Sequence, residues 1–169
     1  MKYTSAEANK LLKALETRRN SLLSIEEKSA NFVISVGENV EEVRPEYDFH
    51  SIQEEIAELN GKIRTVKHAI NVFNTTHTVP GFDDMTIDQV LIYLPQLSSQ
   101  VEKLRRMAEA LPRERKENFR SNLVEYNIAN YDPKEAAAEY ERAQAELSSL
   151  QLALDAANAG EMMEIEIAL

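Results

Sequence analysis

The chain has 169 residues, of which 43% are hydrophobic, and a formal charge of −10. One domain spanning 1–169, with a real core, is the natural expectation for that length, and the apolar share argues against disorder. The charge argues against duplex nucleic acid as a partner, because phosphate binding needs a basic face. No cysteine is present, which excludes disulfides, thiolate metal sites and cysteine nucleophiles and suits a cytoplasmic protein. No apolar signal core follows Met1, and the densest apolar run, Val90 to Leu94, is far too short to span a membrane.

The first helix is expected from about Ser5 to Ser29. Thr4 with Glu7 has capping-box spacing. Its apolar face holds Ala8, Leu11, Leu12, Leu15, Leu22 and Ile25, interrupted by the polar run Glu16 to Ser21, with Arg18 on the seam. Asn31 to Val36 alternates and ends at Gly37, a strand signal, and Val40 to Arg44 reads as a second short strand.

A long helix then runs from Asp48 or Phe49 to about Asn74. Phe49, Ile52, Ile56, Leu59, Ile63, Val66, Ile70 and Phe73 occupy every a and d position of a heptad, a coiled-coil pattern whose seam another helix must cover. Pro80-Gly81 marks a turn. The next helix starts at Thr86, which with Gln89 makes a second capping box. Its seam continues from Ile87 to Leu111 in phase through Pro95, so the expectation is a kink and not a break. Val90 to Leu94 is apolar all round, so this stretch needs covering on two sides.

Leu123 to Tyr131 alternates. Asp132-Pro133 with Glu135 then opens a last helix, whose seam runs from Ala136 to Ala157 and which Gly160 closes. Met162 to Leu169 alternates again. The pattern predicts a mainly α fold: a bundle of four long helices with a small, mixed accessory sheet, in the order α-β-α-α-β-α-β.

No catalytic motif stands out. Glu54-Glu55-x-x-Glu58 superficially matches half of a metal-binding acidic motif, but Glu54 and Glu58 lie outside the heptad seam. No histidine has a glutamate three residues before it, as a di-iron bundle requires. No metal, cofactor or catalytic residue is therefore assigned. Seven of the nineteen Lys and Arg cluster in Lys103 to Arg120, and these read as helix-end and loop charges.

Two polar clusters remain. Arg18, Arg19 and Asn20 interrupt the first helix. Arg64, Lys67 and His68, with Asn71, Asn74 and Thr75, line the second. If antiparallel packing brought them together, they would suit an anionic metabolite or a nucleotide; paired with glutamates, they would be ordinary surface charges.

Ile70-Asn71-x-x-Asn74-Thr75 sits between two long helices and is followed by a strand, a Leu-rich last helix and an acidic end. This layout resembles septicolysin-like bacterial helical proteins. Those tend to carry an Asn-Trp pair near the end, whereas this chain has no Trp and reads Glu161-Met162-Met163-Glu164 there. The resemblance implies a helical oligomer and supplies no catalytic residues. The functional expectation is a non-enzymatic, self-associating interaction module, a dimer or higher. The alternative is a sequestering protein for an anionic metabolite or nucleotide, of phage or mobile-element origin.

Overall fold

The computed structural model describes residues 1–116 and 124–167. The fold is mainly α, with 68% of the described residues helical and small two-stranded antiparallel sheets beside the helices. The elements in order are β1 (Lys2–Thr4), α1 (Ser5–Ser29), α2 (Val40–Val43), α3 (Phe49–Thr76), β2 (Thr78–Val79), β3 (Phe82–Thr86), α4 (Ile87–Glu109), β4 (Arg113–Lys116), β5 (Glu125–Ile128), α5 (Pro133–Gly160) and β6 (Met162–Glu164). They group into two compact units, one of residues 1–74 with the carboxy-terminal stretch from Asn158, the other of Thr75–Ala157.

In the first unit, both halves of the Thr4 capping box form. The Glu7 amide donates to Thr4 Oγ1 (3.2 Å) and the Thr4 amide to Glu7 Oε2 (2.9 Å), so two donors at the start of α1 find partners. Cross-helix bonds link Glu26 to Gln53, Arg18 to Glu55 and Glu16 to Lys67. Position numbers fall along α1 as they rise along α3, so the two helices run antiparallel. The α3 seam is buried at Leu59, Ile63, Val66, Ile70 and Phe73, whereas Phe49, its first member, is exposed. Each buried member contributes about 1.5–3 kcal/mol through desolvation. β1 pairs antiparallel with β6, with Tyr3 opposite Met163, and the Ile165 amide donates to the Met1 carbonyl (2.9 Å). The expected alternation of the tail is visible here, with Met163 and Ile165 buried and Glu164 exposed.

Two strand expectations in this unit fail. Residues 32–36 belong to no sheet, and Val40–Val43 is a helical turn. Local bonds explain both outcomes. The Asn39 side chain accepts from the Glu41 amide, and Arg44 holds Glu41 from the other end at 2.8 Å, closing a turn that the alternation does not reveal. Gly37 (φ 95°) reverses the chain after Val36, and the Glu38 carboxylate takes the Ser35 amide (2.6 Å). β1 was not expected, because three residues are too few to show a period.

In the second unit, β2 and β3 form a hairpin around Gly81 (φ 79°), the left-handed position that its Pro-Gly turn requires. The Thr86 capping box forms in both directions, at 2.8 and 3.3 Å. α4 continues unbroken through Pro95. The side chain of Asp132 accepts from the Lys134 amide (2.9 Å), with Pro133 as first helical residue of α5. Tyr93 O–H donates to Glu146 (2.6 Å), and Tyr131 O–H to the Met107 carbonyl (3.2 Å), so α4 and α5 are also antiparallel. Their buried faces hold Ile87, Val90, Leu97 and Val101 on one side and Ala136, Ala143, Leu147, Leu150, Leu154 and Ala157 on the other.

Among the described residues the strands thus form three separate two-stranded antiparallel sheets in place of one mixed sheet. The alternation of Leu123 to Tyr131 becomes β5. Its partner β4 carries Arg113 and Arg115, residues expected in a loop. The expectations for 117–123 and 168–169 lie outside the described residues.

Candidate functional site

The covered stripe of α1 holds Ser5, Ala8, Leu12, Leu15, Arg19, Leu22, Glu26 and Ser29, each buried or half-buried. This stripe corrects the expected position of Arg18. The stripe through Leu11, Arg18 and Ile25 shares Ala8, Leu15 and Leu22 with it and was an equally regular choice, but Arg18 and Ile25 turn outward, Ile25 being 44% exposed, while Leu11 stays half-buried. Arg18 points instead to the Glu55 carboxylate, at 2.7 Å, with its side chain 58% exposed. Arg19 takes the seam station.

The predicted polar cluster is only partly assembled. Lys67 Nζ bonds Glu16 at 2.8 Å. That hydrogen bond, together with the charges of Lys67 and Arg19, holds the Glu16 carboxyl below its ordinary range. Arg19 and Lys67 therefore flank one carboxylate, which supplies the anion from within the chain. Arg19 Nη2 also donates to Asn20 Oδ1 (3.1 Å), while its Nε is buried without a partner. Arg18 is not part of this group: the Glu55 it bonds lies nine positions before Arg64 and twelve before Lys67, roughly 13–18 Å along the helix. Arg64, His68 and Asn71 are exposed on α3, Asn74 is half-buried, and Thr75 is exposed near the helix end. Glu54 and Glu58 face outward, Glu58 holding Lys62 at 2.7 Å.

Two surface features were missed in the sequence. The first is an apolar stretch left bare after α1. Val33 and Val36 are 95% and 108% exposed, and Phe32, Ile34, Val40 and Val43 are also uncovered. Acidic residues Glu38, Glu41, Glu42, Glu46 and Asp48 punctuate it, with Arg44 as its one cation.

The second is the β4–β5 hairpin, every residue of which is exposed. Its register sets Arg113 opposite Ile128 and Arg115 opposite Tyr126. Directly paired residues share a face, so one face carries two arginines, a tyrosine and an isoleucine. The Arg113 guanidinium lies 3.7 Å from the Tyr126 ring centroid, a cation–π contact. An open hollow of about 560 Å³ beside it is lined by Glu114, Arg115, Lys116, Tyr126 and Asn127. Of the other basic residues near the end of α4, Arg105 is bonded to Glu102 and Glu109. The signal that marks the strand pair in the sequence is matched alternation, of Arg113 and Arg115 with Val124, Tyr126 and Ile128.

On α4, Leu91 and Ile92 are 45% and 59% exposed, although Val90 beside them is fully buried. The apolar turn is thus covered on one side only within the chain.

Among the described residues no three His, Asp or Glu side chains converge to hold a metal ion, and no helix is long and apolar enough to cross a membrane. No protein-family model and no curated protein matches the chain. A crystal structure described as that of a functionally unknown conserved protein from Corynebacterium diphtheriae is similar to it, with a TM-score of 0.62 and 20% identity over 97% of this chain and 100% of that one. At that identity the likeness concerns the fold alone.

Proposed function

We propose that this protein is a non-enzymatic helical interaction module that associates with further copies of itself. The observation that carries this reading is the bare apolar turn of α4, where Leu91 and Ile92 face water beside a fully buried Val90. Covering such side chains is favourable by about 25 cal/mol per Å² of apolar area, and the matching turn of a second copy provides a surface of the same chemistry. The resemblance to septicolysin-like helical proteins points the same way. Sedimentation velocity at micromolar concentration tests it. The expected mass is at least twice 19.2 kDa, and Ile92→Glu should return the protein to a single chain. A single-chain mass for the unaltered protein refutes the proposal.

A second reading, the sequestering of an anionic metabolite or nucleotide, draws on the unpartnered Nε of Arg19. A ligand there has to displace Glu16 from Lys67 or share the cations with it, and that competition weakens the case. A thermal-shift screen with mono-, di- and cyclic nucleotides on the unaltered protein and Arg64→Ala decides it. A shift abolished by the substitution supports sequestration, and no shift with any compound removes it.

A further inference from the structure

The β4–β5 hairpin and the stretch 32–36 are each an incomplete sheet. A two-stranded hairpin is marginal without a third strand or a packed face. This one has neither among the described residues: all eight of its residues are exposed, and it forms a sheet of its own. Among the described residues its β4 edge therefore offers open backbone donors and acceptors. Residues 32–36 have the opposite deficiency. Phe32, Val33, Ile34 and Val36 are strand-forming residues, yet no strand pairs with them among the described residues, and two of them are wholly exposed.

Charge sets the match. The chain is strongly acidic, so two copies repel in most orientations. One exception is the β4 side of the hairpin, where Arg113, Arg115 and Lys116 outnumber Glu114. The stretch that follows residues 32–36 is acidic, with Glu38, Glu42 and Glu46. Strand addition would supply the backbone bonds, alternate apolar side chains of residues 32–36 would lie along the stems of Arg113 and Arg115 on β4, and the guanidinium groups would meet carboxylates.

We propose that residues 32–36 of one copy add as a third strand to the β4 edge of the β4–β5 hairpin of a second copy. The proposal rests on the self-association reading and adds a contact that acts together with the α4 turn: neither alone holds two copies at micromolar concentration, so loss of either gives the single chain. The two surfaces differ, so the contact is heterologous. Reciprocal exchange closes it into a dimer, and one-way addition gives a ring or an open chain.

The test is a charge-swap mixing experiment read by light scattering on the full chain. One variant carries Glu42→Lys with Glu46→Lys, which cancels the net negative charge of the stretch that would face β4. The other carries Arg113→Glu with Arg115→Glu, making both surfaces acidic. All four positions are exposed, so an unchanged helical circular dichroism signal is expected. Each variant alone should run at the single-chain mass of 19.2 kDa, and an equimolar mixture should regain the mass of the unaltered protein. Should either double substitution lower the helical signal, Val33→Pro takes its place. It removes an edge donor without altering charge and should also give the single-chain mass.

Variants that keep the unaltered mass, or a mixture that stays at one chain, overturn the strand addition. If the unaltered protein assembles and only Ile92→Glu breaks it, self-association through α4 stands and the hairpin contact falls. If the unaltered protein is a single chain, both fall.

Discussion

Replacing Arg19 with leucine should stabilise this protein. Arg19 occupies a station on the α1 seam between Leu15 and Leu22, and its Nε is buried without a hydrogen-bond partner. Burying an unsatisfied donor costs about 1–3 kcal/mol, and leucine has no such atom. The leucine side chain adds apolar burial, but the arginine stem already covers part of that surface, so the gain is limited to about 0.5–1 kcal/mol. Against this stands the loss of the Arg19–Asn20 bond, about 0.5 kcal/mol at an exposed site. Glu16 loses one neighbouring cation but keeps Lys67. The net expectation for Arg19→Leu is about 1–3 kcal/mol of added stability, a rise in Tm of roughly 2–10 °C for a chain of this size. Urea melts followed by circular dichroism at one pH, compared at constant slope, measure it. A fall in the midpoint would refute the reasoning, because it would mean that the guanidinium holds the α1–α3 seam together through contacts stronger than the orphaned Nε costs. The same variant bears on function. Under sequestration it should lose any nucleotide-induced thermal shift, and under the interaction reading it should assemble as the unaltered protein does.

Leu97→Ala and Ile63→Ala should each cost about 2–5 kcal/mol in denaturant melts, since both side chains are buried and leave cavities. Glu54→Ala, on the exposed side of α3, should stay within about 0.5 kcal/mol; if Glu54 proved the costlier site, the seam assignment would be wrong. Thr86→Ala removes the cap of α4 and should lower stability by about 0.5–2 kcal/mol, whereas Thr86→Ser should retain most of it. The Tyr93 phenol is held above its usual range by its hydrogen bond to Glu146, reinforced by burial and by the Glu146 charge. Its folded form keeps the proton, so that stabilisation is complete below the unfolded value of about 10 and is lost as pH rises through the folded one. In melts between about pH 9 and about pH 11 the unaltered protein should therefore lose stability faster than Tyr93→Phe; parallel curves would show that the bond does not persist in solution.

The four long helices, both capping boxes, the Asp132-Pro133 start and the Pro80-Gly81 turn were legible because each depends on neighbours within a few positions. A threonine three residues before a glutamate or glutamine meets it whatever the rest of the chain does, and a heptad of apolar residues has one way to leave water. Other features depended on a partner distant in sequence. Leu11, Arg18 and Ile25 made as regular a stripe on α1 as Leu12, Arg19 and Glu26 did. Only contact with α3 chose between them, sending Arg18 to Glu55 and Arg19 to the seam.

The same dependence on distant partners governed the strands and the candidate site. Phe32 to Val36 and Val124 to Ile128 alternate alike in the sequence. The second found Arg113–Lys116, and the first found no strand partner among the described residues. The polar cluster was visible as composition, but whether its cations stood open or closed on Glu16 and Glu55 was decided by the α1–α3 register. Local order follows from short-range sterics and hydrogen bonding, which the sequence carries in full. Pairing, exposure and charge neutralisation are properties of two surfaces at once, and only the tertiary structure brings both surfaces together.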